Sequence, residues 1–260
     1  MFRRVLVFTD LSGERSGPGD WYGPFLVPGG ETRFEVLPRR RSERGRAVEL
    51  ALRHGADLVL VVAKVRRSAW GVASRMPVPA WVLSPPQDHP PPRHGIRRVV
   101  APVDGCEAVE RVVRAAGSLP ASPDLETILL HRVERVPCFM PPAAPGYLPQ
   151  MVFFSGDPDS GLAHRVEELQ RGDPRLRLIL FEGALVPGIL ERARNLRPDA
   201  ILVPVERREW WRRLPFGSIA RCVVLACELP VLLLPSAGAR KRDAGQGAQD
   251  LSPPEKFGAP

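Results

Sequence analysis

Arg97-Arg98-Val99-Val100-Ala101-Pro102-Val103-Asp104-Gly105 is the stretch on which the fold turns. A basic pair, a short apolar run and an acid followed by glycine describe a buried strand that delivers a carboxylate to its carboxyl end. The same design opens the chain, where Arg3-Arg4-Val5-Leu6-Val7-Phe8-Thr9 leads to Asp10. Two further correspondences follow in the same order. Ala56-Asp57-Leu58-Val59-Leu60-Val61-Val62 matches Pro198-Asp199-Ala200-Ile201-Leu202-Val203-Pro204. Val78-Pro79-Ala80-Trp81-Val82-Leu83 matches Leu229-Pro230-Val231-Leu232-Leu233-Leu234. Three collinear matches predict one fold used twice.

Outward from Asp104, Ala108, Val109, Val112, Val113 and Ala116 fall on one face of a predicted helix, with Gly117 placed to cap its end. Residues 125–133 form the next strand, with Ile128-Leu129-Leu130 at its centre. Residues 137–159 are crowded with proline, glycine and aromatics and read as a long loop or a partly ordered excursion. Leu162, Val166 and Leu169 mark a helix that Gly172 and Pro174 end, and residues 178–181 form a strand. Pro187 opens a helix whose buried face carries Ile189, Leu190, Ala193 and Leu196. A strand at 201–205, a helix from Gly217-Ser218 to about Cys227 and the apolar run 230–234 close the unit. Strands and helices alternate, and the strands are apolar on both faces. That pattern predicts a parallel sheet covered by helices.

The first copy is abbreviated. After Asp10 no amphipathic helix follows; glycines and prolines punctuate the region up to Gly30. Phe25-Leu26-Val27 and Phe34-Glu35-Val36-Leu37 read as two short strands. A helix over 43–54, with Ala47, Leu50, Ala51 and His54 inward, leads to a strand at 58–62. The first matching pair lies 94 positions apart and the second 142, so the copies differ by 48 residues between these points. That is room for two helices and their loops. The expected fold class is therefore α/β, with two open parallel-sheet units, the first abbreviated. Residues 1–85 form the degenerate unit, 86–96 a proline-rich linker, 97–235 the complete unit and 236–260 a disordered tail.

Composition narrows the function. The 44% apolar content of the 260 residues supports a sizeable core, and no apolar run is long enough to cross a bilayer. A cytoplasmic protein is the expectation. Cys106, Cys138, Cys222 and Cys227 form no C-x-x-C pair, and no histidine stands at ligand spacing from them, so no metal site is expected. The net charge of +8 rests on arginines dispersed among acids, apart from Arg39-Arg40-Arg41 and the cluster at Arg240, Lys241 and Arg242. Nucleic-acid binding through the basic loop and tail is an alternative that this dispersal disfavours. No paired carboxylates, no serine–histidine–acid set and no P-loop stand at useful spacing, so an enzyme is not expected.

Residues 97–235 resemble the universal stress protein family. The resemblance rests on Ala101-Pro102-Val103-Asp104-Gly105, Ile128-Leu129-Leu130-His131, Pro198-Asp199-Ala200-Ile201-Leu202-Val203, Gly217-Ser218-Ile219-Ala220-Arg221 and Leu229-Pro230-Val231-Leu232-Leu233-Leu234. It implies five-stranded parallel sheets of the adenine-nucleotide-binding type, the first copy (to residue 85) being a degenerate member in tandem. It also implies pairing of two such units, as an intramolecular pseudo-dimer or a homodimer. In nucleotide-binding relatives the acid after the first strand contacts the nucleoside. A G-x-x-G loop, nine residues and G-S then cradle the phosphates through backbone N–H groups.

The carry-over to this chain is partial. Val103 and Asp104 stand at the nucleoside position, and Gly217 and Ser218 at the closing G-S. Pro204 and Arg207 stand where both glycines belong, and Trp210-Trp211 follow them. Proline offers no N–H and arginine resists positive φ, which predicts a broken cradle. Arg132 occupies a place that relatives fill with a small apolar residue beside adenine. The expected function is a non-enzymatic regulatory or interaction protein with an unknown protein partner and vestigial or weak adenine-nucleotide binding. The alternative is a competent ATP or AMP sensor in which Arg132 and Arg207 replace the lost backbone donors. Asp104 also admits a purely local role as the N-cap of the helix that begins near Cys106.

Overall fold

The computed structural model describes residues 2–9, 25, 30–38, 43–84, 95–140, 150–155, 160–205 and 219–236; for 135–140, 150–155 and 160 it describes the backbone alone. Its first part comprises strand β1 (Arg4–Thr9), β2 (Glu31–Val36), helix α1 (Arg44–Arg53), β3 (Leu58–Val62), α2 (Arg66–Ala73) and β4 (Ala80–Leu83). There follow β5 (Ile96–Pro102), α3 (Cys106–Ala116), β6 (Ala121–Arg132), β7 (Arg135–Met140) and β8 (Gln150–Ser155). The chain then runs through α4 (Ser160–Gly172), β9 (Leu176–Phe181), α5 (Leu185–Leu196), β10 (Ala200–Val205), α6 (Ile219–Ala226) and β11 (Val231–Pro235).

Nine of these strands make one sheet, in the order β2-β1-β3-β4-β11-β10-β5-β6-β9. Every neighbouring pair is parallel except β4 and β11, which run antiparallel with Trp81 opposite Leu232. The central strands are apolar at successive positions because helices cover both faces. All five residues of β3 and all four of β4 are buried. On one face α1, α2, α5 and α6 pack through Ala47, Ala51, Val72, Ile189, Ala193 and Val223. On the other, α3 and α4 pack through Ala108, Val109, Val112, Leu162 and Val166. This is an α/β fold with an open, mostly parallel sheet, as expected in class, but its strands join in one continuous nine-stranded sheet where two units were expected.

The strands on either side of the β4–β11 seam run in matching order, β2-β1-β3-β4 against β6-β5-β10-β11, with β9 added beyond β6 at the second edge. Several hydrogen bonds recur at corresponding points. Asp57 accepts the backbone N–H groups of Arg3 and Arg4 at 2.7 and 3.0 Å, and Asp199 accepts those of Arg97 and Arg98 at 2.7 and 2.9 Å. The Asp57 N–H donates to the Arg4 carbonyl at 3.0 Å, and the Asp199 N–H to that of Arg98 at 2.9 Å. Val59 donates to Pro79 and Ile201 to Pro230 in the same way. Each aspartate thus fastens the entry of one strand to the entry of its neighbour. Asp57→Ala and Asp199→Ala are each expected to cost about 1.5–3 kcal/mol, because two N–H donors lose a charged acceptor. Urea denaturation of the two variants checks this; costs below about 0.5 kcal/mol at both sites would remove the fastening role.

Several local expectations need correction. Residues 137–159 are not simply a loop, since β7 and β8 form an antiparallel ribbon in which Pro137 pairs with Phe153. Val136, Phe139, Val152 and Phe154 carry strand propensity that the surrounding prolines and glycines masked, and a two-stranded ribbon tolerates proline because both strands are edges. Helix α2 had no counterpart in the reading of the sequence; its alternation of Arg, Ser and Gly with Ala, Trp and Val obscures the buried face made by Ala69, Gly71, Val72 and Ala73. Helix α5 begins at Leu185, two residues before Pro187, which sits in its first turn where an N–H is dispensable. Gly117 is the C-cap of α3 but has φ −67°, so the position does not use glycine's left-handed freedom. Of the two strands expected in the glycine-rich region, 34–37 falls in and beside β2, whereas 26 and 27 lie outside the described residues, as do 86–94 of the expected linker and the tail from 237; Ile96, expected in the linker, begins β5.

Candidate functional site

The order of strands along the chain reverses between β5 and β10, which are parallel neighbours with Ala200 beside Val99 and Ile201 beside Val100. At such a switch point the connections leave the carboxyl ends in opposite directions and open a crevice. Val103 and Asp104 follow β5 at this switch point, and Pro204 and Val205 end β10 beside it. The continuation of β10, with Arg207, Gly217 and Ser218, lies outside the described residues, so these three predicted site residues are not placed.

Asp104 is exposed, and Gly105 occupies the N-cap position of α3 with no side-chain capping hydrogen bond. The local capping role therefore does not hold: the extended backbone of Gly105 puts Asp104 one residue too early to cap. Val103 is buried and fully engaged, its N–H donating to Leu130 at 2.9 Å while its carbonyl lies 2.9 Å from Nδ1 of His131. That contact sets the imidazole tautomer with the proton on Nδ1. His131 thereby ties the end of β6 to the end of β5.

Arg132 closes β6, and its guanidinium is bound to the Glu134 carboxylate. With Val133, Glu134, Glu182 and Gly183 it lines a cleft of about 330 Å³ over the carboxyl ends of β6 and β9. Gly183 has φ +98°, a conformation that other residues resist, so the turn after β9 depends on it. One cation faces two carboxylates in this cleft. Such a balance opposes a polyphosphate, whose charge would have to displace Glu134 from Arg132 and approach Glu182.

One functional candidate escaped the sequence reading. Arg111 lies on the buried side of α3, only 8% exposed, with its Nη1 3.4 Å from the Val205 carbonyl and its Nε 4.0 Å from Glu107. It is a buried cation aimed at the point where β10 leaves the sheet. The signal was present: Ala108, Arg111 and Ala115 recur at spacings of three and four, so Arg111 belongs to the apolar stripe.

Among the described residues no group of three His, Cys, Asp or Glu side chains is placed to hold a metal, and no helix is long and apolar enough to cross a membrane. Burial pushes the Cys227 thiol up, against the hydrogen bond to the Leu229 backbone and the nearby Arg66 charge, whereas Cys106 and Cys222 are half-buried.

An open, mostly parallel α/β sheet whose strand order reverses between β5 and β10 defines the fold class. The chain belongs to the universal stress protein family, whose model matches residues 95–235. Membership connects the chain with a stress-related function. In structure it is similar to a universal stress protein from Archaeoglobus fulgidus DSM 4304, with a TM-score of 0.55 and 12% identity over 80% of this chain and 70% of that one. It is also similar to a functionally unknown protein from Pseudomonas aeruginosa PAO1, with a TM-score of 0.52 and 14% identity over 91% of this chain and 83% of that one. Identities this low speak for the fold alone. No curated protein matches the chain.

Proposed function

We propose that the chain is a non-enzymatic regulatory or interaction protein of the cytoplasm in which adenine-nucleotide binding is vestigial or weak. The observation that carries this reading is the engagement of Arg132 by Glu134 beside Glu182. An arginine offered in place of lost backbone donors has to be available to phosphate, and this one is engaged by a carboxylate two residues further along the chain. The use of the Val103 carbonyl by His131, and the proline and arginine at 204 and 207, point the same way.

The reading includes the origin of the N-terminal part as a shortened tandem copy, docked in cis as a pseudo-dimer partner. Its support is the matching strand order about the antiparallel seam and the recurrence of the Asp57 and Asp199 hydrogen bonds. The first copy retains counterparts of β6, β5, β10 and β11 but none of β9 among the described residues.

The test is mass spectrometry of nucleotides released from the purified full-length protein, with calorimetric titration by ATP and AMP. The expected result is far less than one nucleotide per chain and no saturable heat below about 1 mM. Stoichiometric ATP would overturn the reading and establish the competent sensor in its place, and Asp104→Ala and Arg207→Ala would then each weaken affinity.

A further inference from the structure

We propose that the outer edge of β2 is a self-association surface, and that a second copy of this chain adds to it antiparallel about a two-fold axis at Phe34. The β2 strand is an edge of the sheet and pairs only with β1 among the described residues. At the equivalent place across the seam β6 has a further partner, β9, so among the described residues one half of the sheet is a strand shorter than the other.

The backbone of β2 fixes which groups face outward. Glu31 donates its N–H to Arg3 at 2.8 Å and Leu37 to Thr9 at 2.8 Å, so the odd-numbered residues face β1. In a parallel ladder the alternate residues point their N–H and C=O the other way. Thr32, Phe34 and Val36 therefore present their main chain to a newcomer. Phe34 is 45% exposed and Val36 78%, unusual for an aromatic and a β-branched residue in a regular strand.

The side chains select both the partner and the register. With Phe34 opposite its own copy, Thr32 meets Val36 on one face, and on the other Arg33 meets Glu35 twice. Within one chain Arg33 and Glu35 already lie 3.2 Å apart, so the dimer would assemble four alternating charges. An axis at Arg33 would set Arg33 against Arg33 and Glu31 against Glu35; an axis at Glu35 would set that carboxylate against itself. Opposite charges facing across strands stabilise a pair and like charges oppose it. All three registers bring outward main-chain groups of the two copies together as hydrogen-bonded pairs, so the side chains decide among them. Edge strands usually defend themselves with a charge pattern that repels a copy; this one is self-complementary.

A six-residue edge buries little surface, so the dimer is weak and concentration-dependent. Sedimentation equilibrium of the full-length chain up to about 1 mM reads it. The wild type is expected to show a monomer–dimer equilibrium, Arg33→Glu and Glu35→Arg each to raise the dissociation constant at least about tenfold, and their equimolar mixture to form a heterodimer. Circular dichroism and melting of these exposed-site variants verify that they fold. A wild type that stays monomeric throughout, variants that dimerise as well as the parent, or a mixture that fails to pair would each overturn the proposal. None of these outcomes bears on nucleotide binding, so this inference and the preceding reading fail separately.

Discussion

Trp81→Ala is expected to lower the free energy of unfolding by about 3–5 kcal/mol, the largest effect of any single truncation in the chain. Trp81 is fully buried and is the largest such side chain among the described residues. It stands on β4 opposite Leu232 of β11, on the seam, and its ring meets Phe25 edge-on with centroids 4.9 Å apart. The cavity left by alanine would open between the two halves of the sheet, where neither can collapse without shifting the other. Chemical denaturation followed by far-ultraviolet circular dichroism reads the cost. The indole N–H has no acceptor among the described residues, so Trp81→Phe discards an unpartnered donor along with some volume. Its cost is expected to be lower, about 1–2 kcal/mol. A loss below about 1 kcal/mol for the alanine variant would mean that the seam carries little of the stability.

Arg66→Ala is the second large effect, expected at about 2–4 kcal/mol. Arg66 begins α2 in the N-terminal half, yet its guanidinium reaches across the seam to the far end of α6. Nη1 donates to Val224 at 3.3 Å, and Nη2 to Glu228 at 2.5 Å and Leu229 at 2.8 Å. The last carbonyls of a helix lack partners within it, and its carboxyl end carries a partial negative charge. A cation from the other half supplies both needs. Burial lowers the pKa of Arg66, the Cys227 thiol and the Glu228 carboxylate acting in the opposite direction. The guanidinium nonetheless stays charged at any ordinary pH. Truncation would leave half-buried carbonyls unsatisfied, and Arg66→Lys, with one point of charge in place of a fork, should recover only part of the loss. Urea titration is expected to show a lower midpoint with an unchanged slope for both variants. An alanine variant as stable as the parent would show that water replaces the guanidinium without penalty.

The scaffold was readable wherever burial imposes a period. β3, β5, β10 and β11 are apolar on both faces, and α3 and α5 carry an inward stripe; each stood out before any coordinate was known. The aspartates were readable too, because Asp57 and Asp199 recur at the same place in the matching stretches 56–62 and 198–204. What escaped was decided by neighbours distant in sequence. Arg66 reads as one more dispersed arginine until α6 is placed beside it, and Arg111 as a solvated charge until β10 ends over it. The antiparallel meeting of β4 with β11 has no local signature, since both strands look like ordinary buried strands. Val103 and Asp104 were placed correctly at the carboxyl end of β5. The pairing of Arg132 with Glu134 was legible only as proximity in sequence, and its effect on the cleft depends on Glu182, which β9 brings alongside.

The seam also governs how the chain comes off the ribosome. Strand β4 is complete at Leu83, but its partner β11 ends at Pro235, 152 residues later. At about 5–20 residues per second, the apolar flank of β4 waits on the order of 8–30 s for its natural neighbour. During that interval Ala80, Trp81, Val82 and Leu83 form a bare sticky border on a nascent polypeptide. Holding chaperones, slow synthesis of the middle region or low expression temperature should therefore decide the yield of native molecules more than the final stability does.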